Sequence, residues 1–279
     1  MKELADHLET FRDLAPRVVY TDLDGTLLGP GGSLFATGGG GVTLEAAEAL
    51  SALHRAEIAV VPISGRTAPQ VLETARVIGA RDYVAELGGI TVYGLGEDTV
   101  RDHGAYQGGG TPRDAMFRDG VPGLLMDTFP GTLEPHAPWA FMPRESSMLF
   151  RGHVPLEEAR EVLAAAGSGW LDLLDNGVIP RAYPALEVEE VHAYHLLPKG
   201  VTKASAAAAD LARRGVDPER AIAVGDSPSD AALAEAVGTV CIVANGRPAV
   251  EAAGHETAYA TTASHGAGFA EVVRAFLRD

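Results

Sequence analysis

The sequence predicts an α/β protein in which a doubly wound parallel sheet carries helices on both faces and a second, α+β domain is inserted into it. Three observations lead there. Short apolar runs alternate with stretches of helical periodicity up to about Gly94, and again from Val191 onward. That alternation reads as βαβ units and a Rossmann-like sheet buried on both faces. Between these two stretches the texture changes to Gly- and Pro-rich segments such as "YQGGGTP", "DGVPG" and "FPGTLEPHAPW", followed by strand, helix and hairpin patterns. A chain of 279 residues holds one large domain or two modest ones. The predicted division is a core of residues 1–93 and 193–279 with an insertion of residues 94–192.

The elements follow in order. Leu4, Leu8, Phe11 and Leu14 recur at helical spacing. "RVVYT" is a strand that runs into an acidic turn. Ser33 to Gly41 is a glycine-rich segment, expected to be a mobile loop, and Thr43 is placed as the N-cap of the helix "LEAAEALSALHRA". Strand "IAVVPI", turn "SGRT", helix "APQVLETARVIG" closed by Gly79, and strand "YVAE" come next. In the insertion, "SSMLFRG" is a strand, "PLEEAREVLAAAG" a helix and "GWLDLLDNGVIPRAYP" a hairpin. The core resumes with strand "VHAYHLL", the alanine-rich helix "GVTKASAAAADLARRG" closed by Gly215, and the strand–turn–helix "RAIAVGDSPSDAALAEAVG". Strand "TVCIVAN" and a terminal helix near "GFAEVVRAFLRD" end the chain.

A hydrophobic content of 46% is ample for a core of this size. A formal net charge of −16 repels nucleic-acid phosphates and anionic membrane surfaces, which argues against both as partners. Cys241 is the sole cysteine, so no intrachain disulfide forms, as suits a reducing compartment. The N-terminal stretch lacks the apolar run of a signal peptide and no segment has membrane-spanning length. The expectation is a cytoplasmic protein; nothing in the sequence fixes its oligomeric state.

The chemistry concentrates at strand ends. Asp22 and Asp24 end the first parallel strand, Ser64 the second, and Asp226 with Asp230 a later one. In open α/β sheets ligands bind at the carboxyl ends of the strands, so these residues should converge. Four carboxylates in one crevice need a cation, and hard oxygen ligands suit Mg2+. Lys203 stands near the start of the alanine-rich helix, where a cation opposes the helix dipole unless an anion is also bound there. Carboxylates, a lysine, a hydroxyl and a helix N-terminus describe a phosphoryl-transfer site. Gly38 to Gly41 lacks the Lys-Ser ending of a nucleotide P-loop and does not directly follow a strand. The nine histidines contain no H-E-x-x-H spacing, so zinc gains no support, and His192 and His195 read as insertion or hinge residues.

"DLDGTL", "ISGR", "KGVTKASA" and "GDSPSD" resemble, in this order, the four motifs of the haloacid dehalogenase superfamily of phosphohydrolases. The resemblance covers the whole outer domain. An insertion between the second and third motifs resembles the type IIB cap of Cof-like sugar phosphatases, and "AELGG" is similar to the hairpin that precedes that cap. "PRESSMLFRG" and "VHAYHLLPKGVTKA" look most like the mannosyl-3-phosphoglycerate and sucrose-phosphate phosphatases.

The resemblance implies that Asp22 is the nucleophile, forming an aspartyl-phosphate. Asp24 is then the general acid and base, and its backbone carbonyl also binds the metal. Gly25 and Thr26 turn the chain so that backbone N–H groups face the phosphate. Ser64 hydrogen-bonds a phosphoryl oxygen and Gly65 permits close backbone approach, while Arg66 is either a phosphate ligand or a surface salt bridge. Both Lys199 and Lys203 are available as the third-motif lysine; the family pattern selects Lys203. The Mg2+ ligands are Asp22, Asp24, Asp226 and Asp230, the last directly or through water. Many relatives carry Asn where this chain has Ser229, which leaves the role of that position open. Arg144, Arg181 and His195 are candidate substrate contacts in the cap. The function so implied is a Mg2+-dependent phosphatase acting on a small phosphorylated metabolite, a sugar phosphate or phosphorylated sugar acid. Its rivals are a phosphomutase on the same scaffold and a catalytically silent sugar-phosphate-binding regulator.

Overall fold

The computed structural model describes residues 1–179 and 181–277. Pro180 of the predicted hairpin, and Arg278 and Asp279 of the predicted terminal helix, lie outside the described residues. The chain divides into two compact units, residues 1–100 with 202–279, and residues 101–201. In chain order the strands are β1 (Lys2–Glu3), β2 (Val18–Thr21), β3 (Ala59–Pro62), β4 (Tyr83–Ala85), β5 (Ile90–Tyr93), β6 (Asp98–Arg101), β7 (Leu133–Pro135), β8 (Met148–Gly152), β9 (Leu171–Val178), β10 (His192–Pro198), β11 (Ala221–Gly225), β12 (Thr239–Ile242) and β13 (Tyr259–Ala260).

The first unit is built on a parallel sheet of order β1-β13-β12-β11-β2-β3. Its strands read as unbroken apolar runs because both faces are buried. Val19, Val60, Ile222 and Val224 point to one face, where they meet Leu50, Leu53, Phe269 and Val272 of the helices Glu45–Arg55 and His265–Phe276. Val18, Tyr20, Val61, Ala221 and Ala223 point to the other, against Ala204, Ala207 and Leu211 of the helix Lys203–Arg214. That last helix starts on a reciprocal cap between Thr202 and Ser205 and ends at Gly215, whose φ of 64° closes it in the left-handed region. Register fixes the functional edge: Thr21 lies opposite both Val224 and Pro62, so the residues that follow all three strands emerge side by side.

The second unit is an antiparallel sheet of order β7-β8-β10-β9. Met116, Leu125 and Leu163 from its helices meet Phe150, Leu171 and Tyr194 from its strands in one core.

Several sequence expectations shift. "VHAYHLL" was expected to be a core strand; as β10 it is a central strand of the second unit, hydrogen-bonded on both sides. A central antiparallel strand and a buried parallel strand look alike as short apolar runs. The boundaries therefore fall at 100/101 and 201/202, beyond the expected 93/94 and 192/193. "YVAE" does not extend the parallel ladder; it pairs antiparallel with β5 and meets β3 only through the bridge between Ile63 and Val84. The N-terminal helix is split into Leu4–His7 and Leu8–Asp13, with Leu4 and Phe11 buried. Thr43 lies one position before the observed N-cap, Leu44, its Oγ1 accepting from the Glu45 N–H at 3.2 Å. The glycine run is a closed turn, with Ala36 bridged to Val42 and the Gly41 N–H donated to Thr37 Oγ1.

One buried polar network ties the lysine-bearing helix to the sheet. Tyr20 Oη donates to Asp210 Oδ2 at 2.7 Å, Arg214 Nε donates to the same oxygen at 2.7 Å, and Arg214 Nη2 reaches Asp82 at 2.6 Å. Asp210 is fully buried. Asp210→Ala leaves a phenol and a guanidinium without their acceptor, and should cost roughly 3 kcal/mol of unfolding free energy. Urea denaturation measures this; a loss below about 0.5 kcal/mol, the scale of an ordinary surface change, contradicts it.

Candidate active site

The site grows from the carboxyl ends of β2 and β11. Asp22 continues the ladder beyond β2, its N–H donating to Val224 O at 2.9 Å, and the residue is only 6% exposed. Lys203, at the first turn of its helix, is 4% exposed. Its ammonium donates to Asp22 Oδ1 and to Asp230 Oδ1, both at 2.6 Å. Asp22, Asp226 and Asp230 each offer an oxygen within 4.8 Å of the others. One lysine cannot neutralise three carboxylates at this spacing, and the donors are all hard oxygens. The group fits a divalent cation.

Electrostatics follow from that imbalance. Burial pushes the Asp22 carboxyl well above its usual range, Lys203 pulls against it, and Asp230 and Asp226 add to it. Asp226 is pushed up to about 7 by burial and then by Asp230, again against Lys203. Burial works against the Lys203 charge, but Asp22 and Asp230 outweigh it and hold the ammonium above its ordinary value.

Asp230 differs from the other two. Its Oδ1 takes the lysine, and its Oδ2 accepts from the Asp226 N–H, the Ser227 N–H and the Ser227 hydroxyl at 3.1, 3.1 and 2.6 Å. Both oxygens are engaged by donors of the chain, so Asp230, a member of the cluster that could hold a metal, also braces the turn that carries Asp226. Gly225 is what allows this: a Cβ there would lie 2.0 Å from that of Asp230. Ser229, at the position where relatives often have Asn, exchanges a hydrogen bond with Ser227 Oγ at 2.8 Å.

The acidic turn is also corrected in part. The Gly25 N–H donates to Leu28 O and the Thr26 N–H to Leu23 O, so neither is directed at a ligand. Thr26 acts through its hydroxyl, which donates to Asp226 Oδ1 at 3.1 Å. Gly25 has φ +90°, and a Cβ there would sit 2.1 Å from Asp226 Oδ2; only glycine lets the first and fourth motifs approach this closely. Arg66 resolves as a salt bridge, bidentate to Asp24 at 2.6 and 2.5 Å. The Asp24 carboxylate accordingly faces Arg66 and is not one of the three clustered acids. Ser64 is buried and its Oγ accepts from the Arg66 N–H at 3.2 Å, which leaves its own proton to donate. Gly65 lies between them in the turn after β3. The turn after β4 fixes this segment, with the Leu87 N–H on Ser64 O and the Glu86 N–H on Arg66 O.

Lys199 is apart from the cluster, in the second unit, with Nζ donating to Gly169 O at 2.6 Å. The other three expected substrate contacts are also in that unit. Arg144 is buried and donates to Ser147 Oγ at 3.0 Å, His195 is buried on β10, and Arg181 is exposed, 5.5 Å from the Tyr183 ring centre.

Two residues escaped the sequence reading. Asn245 Nδ2 donates to Gly25 O at 2.9 Å and to Asp226 Oδ2 at 3.4 Å. Its Oδ1 accepts the His265 N–H at 2.9 Å, and His265 Nδ1 donates to Gly25 O at 2.9 Å. The signal for Asn245 was present: "TVCIVAN" is a further parallel strand with a polar residue just past its carboxyl end. His265 carried none.

A family described as haloacid dehalogenase-like hydrolase matches residues 182–271. A phosphoglycolate phosphatase of Haloarcula marismortui is 30% identical over 77% of this chain and 82% of its own length. One from Methanospirillum hungatei is 26% identical over 93% of this chain and 96% of its own. Among solved structures, the sucrose-phosphatase of Synechocystis in complex with sucrose and phosphate superposes with a TM-score of 0.63. It is 16% identical and covers 93% of this chain and 97% of its own, a likeness of fold.

Asp226 generates a pH dependence. The folded chain holds its proton to about 7, whereas an unfolded aspartate releases it near 3.9. Between those values the folded state binds more protons, so stability is full at the acid end and falls as pH rises. Without divalent cations, the melting temperature should drop from about pH 4 to about pH 7 and the drop should flatten in Asp226→Asn. Added Mg2+ should raise it most at the upper end. Equal slopes in the two proteins contradict the assignment.

Proposed function

The chain belongs to the haloacid dehalogenase-like phosphatases of the type IIB cap arrangement, and on that premise we propose that it is a Mg2+-dependent phosphomonoesterase working through an aspartyl-phosphate on Asp22. The observation that carries the reading is the Lys203 ammonium, 2.6 Å from Asp22 Oδ1 at a site sheltered from water. It opposes protonation of the buried Asp22 carboxyl and stabilises the negative charge that develops as phosphoryl transfer begins.

Asp22 attacks phosphorus and forms the carboxyl–phosphate bond as the ester oxygen departs. Asp24 gives that oxygen a proton, then takes one from the water that attacks phosphorus. Inorganic phosphate leaves and the Asp22 carboxylate is restored. Arg66 holds Asp24 beforehand; a phosphate dianion competes for the same guanidinium and so releases Asp24 as the substrate arrives. Ser64 donates its hydroxyl to a phosphoryl oxygen. Asp226 and Asp22 would hold Mg2+, with Asp230 bracing them, and the ion when bound neutralises charge on the phosphoryl group.

The substrate proposed is a short phosphorylated hydroxy acid, with phosphoglycolate first. The reading rests on the names of the relatives that span most of the chain. It narrows the sugar-acid expectation to its smallest case. Arg144, Arg181 and His195 remain the proposed substrate-selecting residues of the inserted unit.

With Mg2+, phosphoglycolate should release free inorganic phosphate with a higher kcat/KM than sugar phosphates, and EDTA should abolish it. Lys203→Ala should lower kcat by at least about a hundredfold, as loss of a preorganised charge-stabilising donor does, while Lys199→Ala should leave it near wild type. Equal damage from the two substitutions contradicts the role of Lys203. A sugar phosphate preferred over phosphoglycolate overturns the substrate alone.

A further inference from the structure

A second cluster of ligating side chains lies wholly within the inserted unit. His192, the first residue of β10, stands opposite Gly152 at the end of β8, and His153 follows at once. On its other flank the ladder with β9 shifts register between His192 and Tyr194, and Asp175 lies opposite Tyr194. The irregularity brings an acid beside the histidine. His192 Nδ1 is 2.7 Å from Asp175 Oδ2, and Nε2 is 2.9 Å from Glu190 Oε1. The ring of His153 lies 4.8 Å from that of His192, centre to centre. One ligand atom from each of His153, Glu190 and His192 falls within 4.8 Å of the others.

A neutral imidazole has a single N–H and cannot donate to two carboxylates at once. Carboxylates within ion-pair distance of both nitrogens of His192 make its surroundings a place for a bound cation. The His153 imidazole beside it supplies a second nitrogen that a metal ion would use.

We propose that the inserted unit carries its own transition-metal site, with His153, His192 and Glu190 as ligands and Asp175 as the orienting acid, of the chemistry that takes Zn2+. Two imidazole nitrogens and a carboxylate oxygen are zinc's donor set, whereas Mg2+ is held by oxygen alone. With the metal on Nε2, Nδ1 keeps Asp175 Oδ2 beside it at 2.7 Å, placing a carboxylate behind the ligating ring. The ion exchanges the hydrogen bond between His192 and Glu190 for bonds to both and leaves a fourth position to water. Sequence spacing did not reveal this site, because His153 follows β8, far along the chain from Glu190 and His192.

The test is titration of the whole protein with Co2+, then Zn2+, in excess Mg2+ that occupies the acidic cluster, read by calorimetry and by visible absorption. One Co2+ per chain should bind with the absorption of a nitrogen–oxygen site and be displaced by Zn2+. His153→Ala should remove it; His153 is exposed, so the fold is spared. Asp175→Asn should weaken it about tenfold to a hundredfold, and Asp226→Asn should leave it intact. Absence of Co2+ binding in excess Mg2+, or binding unchanged by His153→Ala, overturns the proposal.

Discussion

Everything at the candidate active site hangs on one buried ammonium between two buried carboxylates. Lys203 contacts Asp22 and Asp230 at the same distance, and all three side chains are almost completely withdrawn from water. Such a cluster is not a cheap way to stabilise a fold, because each charge loses its hydration. Its worth lies in charge placement. The lysine counters the effect of burial on Asp22, and the excess of carboxylates over ammonium makes the cluster a receptor for a cation. The surrounding structure is arranged to keep these atoms in place. Thr202 and Ser205 cap the helix that begins at Lys203, and Asp210 anchors that helix to the sheet through Tyr20. Gly225 gives Asp230 room to approach the strand end.

Around this centre the carboxylates divide their work. Asp230 faces inward and binds backbone donors, and so holds the loop that carries Asp226. Asp226 is held from two sides, by Thr26 and by Asn245. Asn245 and His265 both hold the Gly25 carbonyl. The first motif is thereby latched to the fourth and to the start of the last helix. Asp24 stands apart, on the exposed side, held by Arg66. That separation suits the two roles proposed for them: a nucleophile needs a fixed, sheltered place, and a proton shuttle needs one it can leave.

Much of this was legible in the sequence because parallel sheets obey a simple rule. Apolar runs buried on both faces must end somewhere, and the polar residues at Asp22, Ser64 and Asp226 mark the edge where they do. Helix punctuation was equally plain at Gly79 and Gly215. What stayed hidden was set by tertiary context. No local pattern tells whether "VHAYHLL" joins a parallel or an antiparallel sheet, and that choice moved the second domain boundary. The Gly25 and Thr26 N–H groups are taken up by the turn's own hydrogen bonds, which a motif does not display. Arg66 could be assigned to Asp24 only once two strand ends were brought together. His265 gave no signal because its role depends on a carbonyl 240 residues away in the chain.

The central claim is that Asp22 becomes covalently phosphorylated, and it can be tested on that atom. Asp24→Asn with p-nitrophenyl phosphate removes the group that activates water while supplying a leaving group that needs no proton, so the acyl-phosphate should accumulate. Acid quenching, reduction with tritiated borohydride and peptide mapping then identify the modified carboxyl. The account predicts tritium in homoserine at position 22 and nowhere else. Label at another carboxylate, or turnover of this substrate with no labelled peptide, would contradict it.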